Sequence, residues 1–212
     1  MTQRVLAVLA GADMPRDLMR DWALSAQVVL AADAGADRLH EAGVEPHRIV
    51  GDFDSISNLA RFAGHVHHSP DQDTTDCDKL LALARDLGHE KVTLAGLEGD
   101  RMDHAIASWL SIARSGLDVR VALRRGLGWI VRPNFPREIP VNREATVSML
   151  PLSHTEDVNL SGVEWPLTGR SLTWDGLVSI SNKANSDVVR ASLGQGVAIL
   201  FAEYQRSDMP WW

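Results

Sequence analysis

Cysteine occurs once in this sequence, at Cys77, and that scarcity excludes an internal disulfide framework. It fits a reducing compartment, so a cytoplasmic location is expected. No run of about 18 apolar residues occurs, which excludes a membrane-spanning helix, and no membrane partner is expected. The opening MTQRVLAVLAGAD holds one Arg and a short apolar run. Asp13 and Asp17 come too soon for a signal peptide, and the run suits a first strand. Positive charge is also scarce: 21 Lys and Arg against 28 Asp and Glu leave a net charge of −7. An acidic chain binds the nucleic-acid backbone poorly, so no nucleic-acid partner is expected. If such a chain handles phosphates, metal ions and backbone amides must do more of the work than a basic surface. Internal repeats and low-complexity tracts are absent too.

What is present is enough for a core, since 45% of the 212 residues are hydrophobic. At about 100–200 residues per domain, this length makes one large domain or two small ones. RVLAVLAG (4–11) is a continuous apolar run, as expected of a parallel strand covered on both faces. Helical stretches near 15–25, 35–42, 74–87 and 103–115 alternate with strands at 26–33, at IVGDFDS (49–55), at 91–96 and at 118–125. From Leu127 onward no convincing amphipathic helix occurs; short strand-like runs are separated by Pro, Gly, Asn and Asp. The pattern predicts an α/β N-terminal domain with an open parallel, Rossmann-like sheet over 1–130. An all-β sandwich or barrel over 138–212 follows it. RPNFPREIP (132–140), with three prolines, reads as the linker region.

Ligands of open parallel sheets bind beyond the carboxyl ends of the strands. Acidic residues gather at those ends: Asp33 after the second strand, Asp52 and Asp54 after the third, Asp100 and Asp103 after the fourth. Asp71, Asp73, Asp76 and Asp78 crowd DQDTTDCDK (71–79), which leads into a helix. So many carboxylates repel one another and hold protons tightly unless a cation neutralises them. Oxygen ligands without clustered His or Cys favour Mg²⁺, which bridges one or two carboxylates to substrate phosphates. A metal–nucleotide site is the reading this chemistry supports. Plain turn formation and helix capping are the competing explanation for Asp33 and Asp103, and Thr74 or Thr75 is a candidate cap for the helix that follows. Lys79, three residues after Asp76, is placed to pair with it or to reach a phosphate. GLEGDRMDH (96–104), with Gly99, is a turn into a helix whose amides suit phosphate oxygens.

In this order and at these separations GDFDS (51–55), QDTTDCDK (72–79) and GLEGDRMDH (96–104) resemble the thiamin pyrophosphokinase (thiamin diphosphokinase) family. GVEWPLT (162–168) and GLVSISN (176–182) look like that family's thiamin-side motifs. The resemblance implies transfer of a diphosphoryl group from ATP to thiamin, giving thiamin diphosphate and AMP. It implies catalytic roles for Asp52, Asp54, Asp76 and Asp103, the first three holding Mg²⁺. It implies that Asp33, Gln72, Asp73, Lys79, Gly99 and Arg101 serve the nucleotide, and that Trp165 stacks on thiamin with Ser181 and Asn182 beside it. A homodimer with shared active sites is implied as well. The chain departs from the family at Asp100, where a second Gly is usual, and at Ser108, where a helical Asn is common; the terminal MPWW lies outside the match. An aspartyl-phosphate phosphatase and a noncatalytic vitamin or nucleotide sensor are the alternatives. Trp22 and Trp109 read as core, Cys77 as a small buried residue, and HVHH (65–68) lacks a helical metal-ligand spacing.

Overall fold

The apolar run after Arg4 becomes β1 (Val5–Val8), buried at all four positions. Parallel strands covered on both faces need such runs. β2 (Val28–Ala32), β3 (Arg48–Gly51), β4 (Val66–His68), β5 (Lys91–Ala95) and β6 (Asp118–Leu123) join it, every pairing parallel, in the order β6-β5-β1-β2-β3-β4. Between them run α1 (Arg16–Ser25), α2 (Gly35–Glu41), α3 (Asp76–Asp86) and α4 (Met102–Ser115). The computed structural model describes residues 3–11, 13–57, 59–62, 66–71, 73–99 and 101–212. Two units emerge from it: Met1–Arg124 with Trp211–Trp212, and Arg125–Pro210.

In the first unit the chain builds β1 through β4 in one direction and then returns to place β5 on the other side of β1. That reversal is a topological switch point, and it opens a crevice beyond the carboxyl ends of β1 and β5. β4 falls within HVHH, which sequence pattern did not mark as a strand. It is short and exposed at all three positions, so it lacks the apolar alternation by which strands are read.

The terminal tryptophans pack on the chain's own first unit. Trp22 of α1 is fully buried, with ring centroids 4.7 Å from Trp211 and 5.4 Å from Trp212. The Arg120 guanidinium lies 5.0 Å from the Trp22 ring centre and 5.3 Å from that of Trp212. Trp212 Nε1 donates to Ser25 Oγ at 2.9 Å. Trp22 is therefore core, as expected, whereas Trp109 is only half-buried.

The second unit is all-β. One antiparallel group runs β12 (Ser179–Lys183), β9 (Thr146–Pro151), β14 (Ala198–Glu203), β7 (Gly126–Val131). The other runs β11 (Leu167–Leu172), β10 (Thr155–Ser161), β13 (Val188–Ser192), β8 (Arg137–Pro140). β8 corrects the linker reading of 132–140. Ile139 pairs with Val189 and is buried, so the segment is part of the sheet. Its prolines misled because proline usually breaks strands; here β8 lies at a sheet edge, where the missing N–H costs no ladder bond.

Candidate active site

The crevice at the switch point has a floor made of backbone. β1 and β5 both exit through Leu-Ala-Gly, at 9–11 and 94–96. Leu9 N–H donates to Ala95 O at 2.9 Å and Gly11 N–H to Gly96 O at 2.7 Å. A Cβ on Gly11 would stand 2.2 Å from the carbonyl oxygens of both Gly96 and Glu98, so only glycine lets the two exits close on each other. Above this floor lies a cleft of about 650 Å³. Asp52, Asp54, Asp76, Lys79, Gly99, Arg101 and Asp103 all line it. A second cleft of about 730 Å³ shares Thr74 and Lys79 with the first and takes in Asp71 and Asp73. The carboxyl ends of β1 and β5, at the switch point where chemistry is expected in this fold, belong to the first.

Asp33 sits behind the cleft and is the most perturbed carboxyl there. It is 2% exposed. Burial pushes it up to about 7, with the negative charges of Asp76 and Asp52 adding to the effect and the Phe53 N–H, 2.9 Å from Oδ1, opposing it. Gly51 makes room for this carboxyl: a Cβ there would meet Asp33 Oδ1 at 2.2 Å. Asp33 and Phe53 both have positive φ, 40° and 66°, which costs energy for residues with a side chain. Strain and clustered carboxyl groups therefore coincide at the exits of β2 and β3.

The sign of the Asp33 perturbation fixes a pH dependence. Between 3.8 and about 7 the folded chain holds a proton that the unfolded chain releases. Stability therefore falls as pH rises through that range and stays low above it. Asp33→Asn keeps the Phe53 hydrogen bond and cannot ionise. It should raise the melting temperature of the ligand-free protein at pH about 8 and remove the slope between about 4 and 7. Thermal melts across this range check it; an unchanged slope in Asp33→Asn would contradict it.

The start of α3 is fixed by a capping box. Thr75 Oγ1 accepts the Asp78 N–H at 3.1 Å, and Asp78 Oδ2 accepts the Thr75 N–H at 3.2 Å. Burial works to raise Asp78, but the Thr75 hydroxyl and N–H and the Arg114 guanidinium outweigh it and hold the carboxyl below its usual range. Asp78 is thus occupied by structure, while Asp76, one residue into the helix, remains in the cleft. Asp73 is exposed and lines the second cleft, not the first. Lys79 is 7% exposed; the Thr74 hydroxyl and the Asp73 N–H, with the Lys79 charge adding to them, hold the Asp71 carboxyl below its usual range. Cys77 is sealed beneath; burial, then the Asp78 charge, pushes its thiol up to about 12, which makes it unreactive.

Across the cleft Arg101 precedes α4 and grips Asp103, with Nη2–Oδ2 at 2.6 Å and Nε–Oδ1 at 3.2 Å. These bonds hold the Asp103 carboxyl down to about 2. Asp103 does not cap the helix: Arg101 occupies the cap position, and no side chain closes it. Among the described residues no three His, Cys, Asp or Glu side chains form a ready metal cage. Gln72 and Asp100 lie outside the described residues.

In the second unit Trp165 presents an indole 57% exposed. Ser181 is exposed, with φ of 54°, inside a register shift of β12. Asn182 differs from expectation: it is 3% exposed, and its amide is consumed by hydrogen bonds to Trp165, Lys183 and Ser179.

With this geometry in hand, two family models match in chain order: "Thiamin pyrophosphokinase, catalytic domain" over 19–121 and "Thiamin pyrophosphokinase, vitamin B1 binding domain" over 137–198. The chain belongs to the thiamin pyrophosphokinase family. Among similar proteins, a thiamine pyrophosphokinase of Bacillus subtilis is 25% identical over 81% of this chain and 85% of its own length. Thiamin pyrophosphokinase 1 of Caenorhabditis elegans is 31% identical over 68% of this chain and 65% of its own. The crystal structure of the Bacillus subtilis thiamine pyrophosphokinase shares the fold, with a TM-score of 0.76 at 21% identity over 95% of this chain and 100% of that one. An α/β catalytic domain followed by an all-β domain is thus the architecture of the family as well as of this chain.

Sequence reading of these family motifs passed over Gly11, Leu9 and Ala10, which line the cleft as fully as the acidic residues do. The signal was available: the Leu-Ala-Gly exit of the first strand is repeated at the fifth. It carries no charge or unusual residue type, so a search for reactive side chains does not find it.

Proposed function

We propose that this chain is a Mg²⁺-dependent thiamin diphosphokinase of the cytoplasm, converting ATP and thiamin to AMP and thiamin diphosphate. The observation that supports it most is the cleft at the switch point, where Asp52, Asp54 and Asp76 line one wall and Arg101 and Asp103 another, with the protonatable Asp33 behind. In the reaction the thiamin hydroxyl oxygen loses its proton to solvent and bonds to the β-phosphorus. The bond from that phosphorus to the oxygen bridging the α-phosphate breaks, and AMP departs with the bridging oxygen. Such transfers need positioning and charge neutralisation more than covalent help. Mg²⁺ held by one or two of Asp52, Asp54 and Asp76 together with substrate phosphate oxygens would supply that neutralisation.

The remaining roles follow from charge. Lys79 and Arg101 face triphosphate oxygens together with the Gly99 amide, and Gln72 and Asp33 complete the nucleotide side. Asp103, held near 2 by Arg101, is a weak base in this state and serves to orient the thiamin hydroxyl. Trp165 offers an indole face to the thiazolium, a permanent cation suited to it, with Ser181 beside. We further propose a homodimer in which Trp165 of one copy completes a site whose carboxylates belong to the other. Mixing inactive Asp54→Asn subunits with inactive Trp165→Ala/Ser181→Ala subunits should then restore activity; no recovery despite verified exchange means that each chain builds its own site.

The reading is tested by supplying ATP, Mg²⁺ and thiamin and separating the products. It also sets an expectation for Asp76. Asp76→Ala should weaken ATP binding in Mg²⁺ and leave binding in EDTA nearly unchanged by isothermal titration. Equal losses in both would make Asp76 part of the helix start alone.

A further inference from the structure

The Asn182 side chain has nothing left to offer a ligand. Oδ1 accepts the Trp165 N–H at 3.1 Å and the Lys183 N–H at 2.9 Å. Nδ2 donates to the Trp165 carbonyl at 2.7 Å and to Ser179 Oγ at 3.4 Å. Two N–H donors at one end and a carbonyl at the other fix which way the amide points. A carboxamide has two donor hydrogens and two acceptor lone pairs, and all four are used. The amide thus pairs with both backbone polar groups of Trp165 as a neighbouring strand would. Pro166 follows and restricts Trp165 to extended backbone. Neighbouring bonds extend the clamp: Glu164 N–H to Lys183 O at 2.8 Å, Asn185 N–H to Gly162 O at 3.0 Å, and Asn185 Nδ2 to Val163 O at 2.9 Å.

The strand is distorted to bring this about. Ser179 and Asn182 are three residues apart, so a regular strand would point them to opposite faces. The register of β12 against β9 shifts between them, Ile180 and Ser181 are both exposed, and Ser181 takes φ of 54°. The inserted residue turns Asn182 back to the buried side, where it meets Ser179. A bulge and a strained serine at one place fit a strand bent to aim a side chain.

We infer that Asn182 is a positioning residue: it holds the backbone of Trp165 so that the exposed indole meets the cationic ring, and it does not itself touch the vitamin. This rests on the thiamin reading of the second unit. Steady-state kinetics and thiamin titration of the full chain test it. The wild-type protein must first show saturable thiamin binding; its absence defeats the thiamin reading and this inference with it. Asn182→Ala should then raise the thiamin KM by at least about threefold, the scale of one stacked aromatic contact, with the ATP KM changed by less than about twofold. On a Trp165→Ala background the same substitution should change the thiamin KM by less than about twofold, since a residue acting only through the indole has nothing further to remove. Effects that multiply show direct contact with thiamin and overturn the inference, as does an unchanged thiamin KM in Asn182→Ala. If Asn182→Ala does not fold, Asn182→Asp, which keeps Oδ1 and loses both Nδ2 donors, gives the same readouts.

Discussion

Asp54→Asn should lower turnover by about 10²-fold or more, the scale of one lost preorganised electrostatic contact, and leave the ligand-free melting temperature nearly unchanged. Asp54 is exposed at the exit of β3, and its own N–H reaches Asp52 Oδ1 at 3.4 Å. Asparagine keeps that backbone bond and the side-chain shape and removes only the charge. A residue of this kind contributes little to folding, because its carboxylate is solvated in both states. Its cost to the apo protein is repulsion within an acidic cleft, and its use is the neutralisation of bound metal and phosphate. An active Asp54→Asn enzyme with unaltered Mg²⁺ dependence would remove Asp54 from the site.

Trp22→Ala should do the reverse. It should destabilise the protein by about 3–5 kcal/mol, the range for emptying a large aromatic from a core, while the folded fraction keeps its KM for both substrates. Trp22 is fully buried beneath Trp211 and Trp212, and its removal also takes away one aromatic face from Arg120. Trp22 Nε1 is buried without a hydrogen-bond partner, so the indole contributes packing and no polar bond. Trp22→Phe should therefore cost much less than Trp22→Ala. Urea denaturation of the three proteins checks the order; equal losses for Phe and Ala would mean that the indole makes a polar contact after all.

The element order of the first unit was legible because buried parallel strands read as apolar runs and the helices between them are amphipathic. β4 was not, being short, polar and at an edge. β8 was hidden by its prolines, which an edge strand tolerates. In the site, charge marked the strand exits and the start of α3, and the resemblance to a family narrowed the aspartates to Asp52, Asp54, Asp76 and Asp103. What sequence could not carry is who touches whom. Asp33 and Asp76 are 43 positions apart, and their mutual repulsion exists only once β2 and α3 are assembled. Asn182 has the residue type of a ligand contact, and only the bulge at Ser181 reveals that its amide is turned inward.

The most direct measurement is product identity in one reaction. ATP, Mg²⁺ and thiamin are incubated with the full chain, and nucleotides and thiamin species are separated by chromatography. The account requires AMP and thiamin diphosphate to appear in equal amounts, ADP and free phosphate to stay at background, and both products to vanish in EDTA. Thiamin bound but unchanged, ADP as the nucleotide product, or steady hydrolysis of a generic phosphate ester without ATP would contradict it.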